Sequence, residues 1–211
     1  MAYIVMKNLS KLTVGEYQAL YYIHTSKDEE IDKAVASVSI LTGKTRWEVE
    51  EMDFKEFTHL TKELNILFGA FVSGKPKTSL KINGKKYQVC LNPRKLSAGQ
   101  YIDLQHFLKG NMIDNLHKIM ACLVVPKKRF GVGKYDGENH ELISVGIQDL
   151  NFIDVHSTCV FFSLLWSNSI KAITPYLSQE VMKKNPSLSP QDLQSIMDGF
   201  LTHPRLQSMS E

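Results

Sequence analysis

Three short stretches of this chain carry residues able to do chemistry. The first is LTGKT, Leu41 to Thr45. A Gly-Lys-Thr opening a helix is how a phosphate-binding loop sets a lysine on phosphates and a hydroxyl on magnesium. That loop needs a further glycine five residues before Gly43, and the position holds Val38. The run before it has helical periodicity, whereas the motif follows a strand. Gly43 therefore reads as the close of one helix, and Thr45 as the cap of the next with Glu48 as its third residue. The second stretch is FGVGKYDG, Phe130 to Gly137. It offers Gly-x-Gly, but the third glycine of a dinucleotide fingerprint is Asp136, and no strand-helix-strand unit surrounds it. A loop after Pro126 is the better reading. The third is the pair His156 and Cys159, three apart on a helix. It lacks two further ligands of matching type, so it reads as part of a buried helix face. There is no His-Glu-x-x-His, no Cys-x-x-Cys and no Gly-x-Ser-x-Gly. No catalytic, cofactor-binding or metal-ligating residue is assigned.

Charge offers a fourth kind of chemistry. Lys127, Lys128 and Arg129 form a basic knot. With Lys75, Lys77, Lys81, Lys85, Lys86, Arg94 and Lys95 they are suited to phosphate or an acidic partner, or form a solvated basic face. Glu48, Glu50, Glu51, Asp53 and Glu56 make the acidic counterpart. Acidic and basic segments in one chain allow copies to meet head to tail, which generates rings or filaments. A net charge of +3 on 211 residues is too small to argue for nucleic acid. Three widely spaced cysteines, Cys90, Cys122 and Cys159, read as free thiols of a reducing compartment, not a disulfide framework. The opening MAYIVMKNLSKL shows no secretory signal. Val155 to Ile170 is free of Asp, Glu, Lys and Arg, yet falls short of the roughly 20 apolar residues a bilayer requires, so a buried helix is expected there.

The elements that would carry these residues announce themselves by a repeated phrase. LTVGEYQAL begins at Leu12 and LSAGQYIDL at Leu96. Thr13 with Glu16, and Ser97 with Gln100, have capping-box spacing. Leu12 with Tyr17, and Leu96 with Tyr101, have staple spacing. Both phrases start helices. Gly15 and Gly99 are not explained by capping and suggest a close backbone neighbour. The echo continues. EIDKAVASVSIL follows the first phrase and MIDNLHKIMACL the second. EMDFKEF then pairs with DLNFIDV, where Asp53 with Glu56 and Asn151 with Asp154 cap again. Three helix starts in one order point to two related halves, against convergent capping chemistry as the alternative.

Between the halves lies TSLKINGKKYQVCLN, Thr78 to Asn92. It alternates around Asn83-Gly84, the strongest short signal for a two-residue type I′ turn. Ile82 should face Lys85, Leu80 face Tyr87 and Thr78 face Val89. Leu80, Ile82, Tyr87, Val89 and Leu91 then share an apolar face that must pack on helices or on another chain. After Lys171 the pattern thins. Thr174-Pro175 predicts a new short helix, and Ser189-Pro190 another reaching about Leu201. Leu177, Val181, Leu188, Leu193, Ile196 and Phe200 form apolar stripes on Pro-broken joints, suited to wrapping the body or clasping a neighbour.

The order LTVGEYQALYYI, EIDKAVASVSILTGK, VEEMDFKEF, the hairpin KINGKKYQV, LSAGQYIDLQHFLK, NLHKIMACLVVPK with its Gly-rich loop, then an aromatic helix, resembles proteins of the tail-module gene clusters of tailed bacteriophages. These include tail-assembly chaperone-like proteins, and the order is also similar to the tail-ring (connector) proteins of crAss-like phages. The resemblance spans Leu12 to about Ile173. It implies no catalytic residues, a virion location after synthesis in the host cytoplasm, and protein partners from the tail or connector.

The expected fold is mainly α, with two pseudo-repeated helical halves (1–75 and 96–173), an inserted β-hairpin (76–95) and a C-terminal helical extension (174–211). The expected function is that of a non-enzymatic subunit of a tail or head-to-tail ring, assembling with its own copies and with other tail proteins, without membrane or cofactor. Interface candidates are Leu80, Ile82, Lys85, Lys86, Tyr87, Glu48, Glu51, Leu177, Leu193 and Phe200. The rival within the same module is an assembly chaperone absent from the virion. The rival from another class is a nucleotide- or nucleic-acid-binding adaptor that uses the basic cluster.

Overall fold

A computed structural model describes residues 11–69, 74–128, 131–184, 189 and 191, with side chains left undescribed at 65–69, 169–182 and 184. Eight α-helices and a small antiparallel sheet make up these residues. In chain order they are α1 (Val14–Thr25), α2 (Glu30–Thr42), α3 (Arg46–Glu50), α4 (Phe54–Gly69), β1 (Ser79–Ile82), β2 (Lys85–Val89), α5 (Ala98–Leu108), α6 (Leu116–Leu123), β3 (Val124–Pro126), α7 (His140–Gln148) and α8 (Phe152–Lys184). A 3-10 turn, Pro93–Lys95, leads into α5.

The helix starts are made by side chains. Thr13 Oγ1 accepts from the Glu16 N–H at 3.2 Å, while the Thr13 N–H donates to Glu16 Oε2 at 2.8 Å. Ser97 and Gln100 repeat this geometry at 3.3 and 3.0 Å. Thr45 and Glu48 repeat it a third time at the start of α3. Gly43 closes α2 in the left-handed conformation, its N–H donating to Ser39 O. Asn151 caps α8 by accepting from the Asp154 N–H at 3.2 Å.

Two apolar cores result. Leu12, Leu20, Val35, Val38, Val49 and Leu64 form the smaller, between α1, α2, α3 and α4. The larger gathers the sheet, α5, α6, α7 and α8. Tyr17 joins them: it packs against both, and its ring stacks on Phe152 with centroids 3.7 Å apart. Beside it, the starts of α1 and α8 are hydrogen-bonded, Val14 N to Leu150 O at 2.9 Å and Phe152 N to Leu12 O at 2.8 Å. Gln18 adds a tie, its Nε2 donating to Ile113 O and Asp114 O.

The hairpin turns at Asn83 (φ 48°) and Gly84 (φ 77°), the two positive values a type I′ turn needs. Ile82 pairs with Lys85 and Leu80 with Tyr87, and the Val89 N–H donates to Thr78 O at 2.9 Å. It is not a free-standing insert. β3 pairs with the far side of β2, Val89 opposite Val124 and Tyr87 opposite Pro126. Ile82, Tyr87 and Val89 are buried in the larger core, with Leu80 packed against it. Of the two ways to cover the apolar face, helices or another chain, the chain's own helices supply the cover for Ile82, Tyr87 and Val89.

α6 begins at Leu116, where its apolar run starts, and Asn115 does not cap it: its side chain turns back to donate to Phe107 O at 3.0 Å. Two further expectations give way. Neither Gly15 nor Gly99 is required to be glycine. A Cβ on Gly15 would meet the Cβ and backbone O of Gln148 at 3.5 Å, and one on Gly99 the Tyr135 ring at 3.5 Å, all ordinary contacts. No new helix starts at Thr174, since α8 continues through Pro175 to Lys184. A proline removes one N–H and kinks a helix locally, and here the turns on both sides persist. Phe152, Val155, Cys159, Phe162 and Trp166 of α8, spaced by three and four residues, enter the core. At 1.5 Å per residue, its 33 residues run about 50 Å. No helix among the described residues is long and apolar enough to cross a membrane.

Candidate functional site

A cleft of about 1010 Å³ opens between the outer face of the sheet, the chain leading into α5 and the loop after β3. Cross-strand registry builds one wall. The directly opposed residues on β1, β2 and β3 at this level are Ser79, Gln88 and Val125, and Gln88 and Val125 line the cleft. The next level on the same face is Lys81 opposite Lys86, with Lys127 beyond it, its N–H donating to Lys86 O at 2.9 Å. Three exposed lysines thus stand in one row across three strands. None has a carboxylate partner among the described residues. Opposed like charges in a sheet are mutually destabilising. The other wall is the glycine-bearing loop, where Val132, Lys134 and Tyr135 line the opening opposite Lys95. The loop is folded back by hydrogen bonds from Lys128 N to Gly131 O and from Gly133 N to Pro126 O at 2.7 Å. A Cβ at Gly133 would meet Pro126 O at 2.9 Å, so this close approach requires glycine.

Behind this wall lies the grouping with most resemblance to catalytic chemistry. Cys122 Sγ is 3.4 Å from His140 Nε2, and the Tyr135 hydroxyl donates to Asp103 Oδ2 at 2.7 Å. A nucleophilic cysteine needs a depressed pKa and a histidine free to take its proton. Neither holds here. Burial pushes the Cys122 thiol up to about 12. His140 Nε2 is also 3.1 Å from Lys118 O, an atom that only accepts. That nitrogen therefore carries the proton, donates it to the carbonyl and has no lone pair for the thiol. Gln100 Nε2 completes the packing by donating to Cys122 O at 2.8 Å. Burial likewise raises Cys159, whose thiol touches the Met120 sulfur, and Cys90. All three cysteines are free. The His156 ring lies tilted against Phe152, centroids 5.1 Å apart, with its pKa lowered by burial. Among the described residues, no group of three or more His, Cys, Asp or Glu is placed to hold a metal.

The acidic counterpart is the corner formed by α3 and the start of α4. Its carboxylates are exposed, Glu48 and Glu51 among them. Arg46 holds Asp32 and Glu50. The Thr45 N–H and hydroxyl hold the Glu48 carboxyl below its usual range. Glu51 and Glu56 have no ion-pair partner among the described residues. Between these charges, Trp47 is 70% exposed and Phe54 79%.

Of the interface candidates, Glu48, Glu51, Lys85 and Lys86 are at the surface. Ile82 and Tyr87 are buried and Leu80 is half-buried. The Leu177 side chain, Leu193 and Phe200 lie outside the described residues, as does the expected helix from Ser189 to Leu201 apart from 189 and 191. Sequence reasoning passed over Trp47 and Phe54, which lie among the acidic residues it did single out, and Lys134, which no charge run marks. It also missed the Cys122–His140 contact, because 18 residues and a loop separate the pair. Comparison of the chain with family models, curated proteins and solved structures finds no match in any of them.

Proposed function

We propose that this chain is a non-enzymatic structural protein of a tailed bacteriophage, a subunit of a ring in the tail or at the head-to-tail junction. The observation that carries this reading is the acidic corner, which presents Trp47 and Phe54 to solvent. Large aromatics ringed by charge are the composition of association hot spots, and they gain most when a partner covers them. The order of elements that resembles tail-module proteins supplies the context. The buried, proton-locked Cys122–His140 contact supports a scaffold role for the residues closest to catalytic chemistry. Proteomics of purified particles tests the reading. Recovery in amounts comparable to other ring components is the expected result, and absence from particles would make it an assembly chaperone. The lysine row on the sheet favours one second reading, a nucleic-acid adaptor. Salt-sensitive binding of the purified protein to DNA, without self-association, would establish it.

A further inference from the structure

We propose that the cleft between the sheet and the glycine loop is the docking site for the α3–α4 corner of a second copy of this chain. Trp47 and Phe54 enter against Val125 and Val132, and Lys95 and Lys134 face Glu51 and Glu56. This rests on the ring reading and adds its two surfaces.

Complementarity of charge is the first argument. The stretch 46–56 carries five carboxylates against Arg46 and Lys55, and Arg46 is already engaged by Asp32 and Glu50. The cleft is edged by Lys95 and Lys134 and adjoined by the Lys81–Lys86–Lys127 row. Unpaired carboxylates arriving there relieve the repulsion of that row. Apolar fit is the second. The cleft volume is that of a small-molecule site, with room for two aromatic side chains and with valines on both walls. An aromatic side chain buries roughly 150–250 Å² when covered. Placement is the third. The corner belongs to the smaller core through Val49, and the cleft wall to the larger through Val89. No hydrogen bond or ion pair joins the two among the described residues. One copy's corner therefore meets the next copy's cleft, a head-to-tail contact that repeats until it closes. Single-stranded nucleic acid fits the sheet less well. Its binding platforms stack bases on aromatics, and the outward residues here are Ser79, Lys81, Lys86, Gln88, Val125 and Lys127.

The test is a charge exchange in the full chain, read by mass photometry with thermal melts on every protein. One variant is Lys95→Glu with Lys134→Glu, which makes both surfaces acidic. The other is Glu51→Lys with Glu56→Lys, which makes both basic. Each alone should lose at least tenfold in association, and the two mixed should recover it, because each then meets an opposite charge on both sides. Recovery on mixing also shows that both variants fold. Trp47→Ala with Phe54→Ala should weaken association while leaving the melt near wild type. Assembly of either charge variant as strong as wild type, or no recovery on mixing, overturns the pairing and leaves the ring reading standing. A wild-type chain that stays monomeric overturns both. Loss of DNA binding in the Lys95→Glu, Lys134→Glu variant with assembly intact marks a nucleic-acid face and overturns the pairing.

Discussion

Gln100 shows how much one atom decides. Its Oε1 accepts from the Ser97 N–H, as Glu16 does for Thr13, but its Nε2 also donates to Cys122 O. A carboxylate would complete the capping box and leave that carbonyl facing a negative charge. Gln100→Glu should therefore cost about 1–3 kcal/mol in urea unfolding, whereas Glu16→Gln should change little. Equal effects would contradict the second role. Histidines set a pH dependence. Burial holds His156 below its ordinary 6.5, and burial with Lys118 does the same for His117. Below pH 6.5 the unfolded chain then binds more protons than the folded one, so stability is full above that pH and falls as pH drops toward the folded values. Melting temperature should decline between neutral and about pH 5, less steeply in His156→Gln. A flat profile in the native chain would contradict the shifts. The capping residues were legible because their chemistry is local. Gln100's second bond was not, because its acceptor lies 22 residues away.

Among the elements, the hairpin shows where sequence patterning stops. Alternation and Asn-Gly specify the turn and which residues share a face, since both depend on neighbours in the chain. They do not say what covers that face. β3 is only three residues long and follows a helix without a break, so no alternation marks it. The docking point on the helices is Gly146 of α7. A Cβ there would meet Asn83 Nδ2 at 2.5 Å and Ile82 Cγ2 at 2.7 Å. Gly146→Ala should cost about 1–3 kcal/mol by forcing the turn off α7. Gly15→Ala and Gly99→Ala have room, and should be neutral or stabilising by up to about 1 kcal/mol. Denaturation midpoints of the three variants check this, and a harmless Gly146→Ala would mean the hairpin is not seated on α7. α8 was legible as a buried apolar helix from Val155 onward. Its passage through Pro175 was not, because Thr-Pro is equally the signature of a helix start.

At the scale of the whole molecule, two cores are joined by a short seam of Tyr17, Phe152 and Gln18. The smaller core presents an acidic aromatic corner and the larger a lysine-edged cleft. The mainly helical class was legible from periodicity and caps. The cleft was not, because β2, the lead into α5 and the glycine loop come from three separated stretches. The apolar hairpin face is packed in the chain's own core, and that moves the weight of the assembly proposal onto charge and exposed aromatics. Such a contact weakens as salt screens it. The most direct measurement is mass photometry of the full-length chain across a concentration series at low and high salt. The account predicts one discrete oligomer larger than a dimer, populated with rising concentration and reduced at high salt. A single monomer peak at every concentration and salt would contradict it.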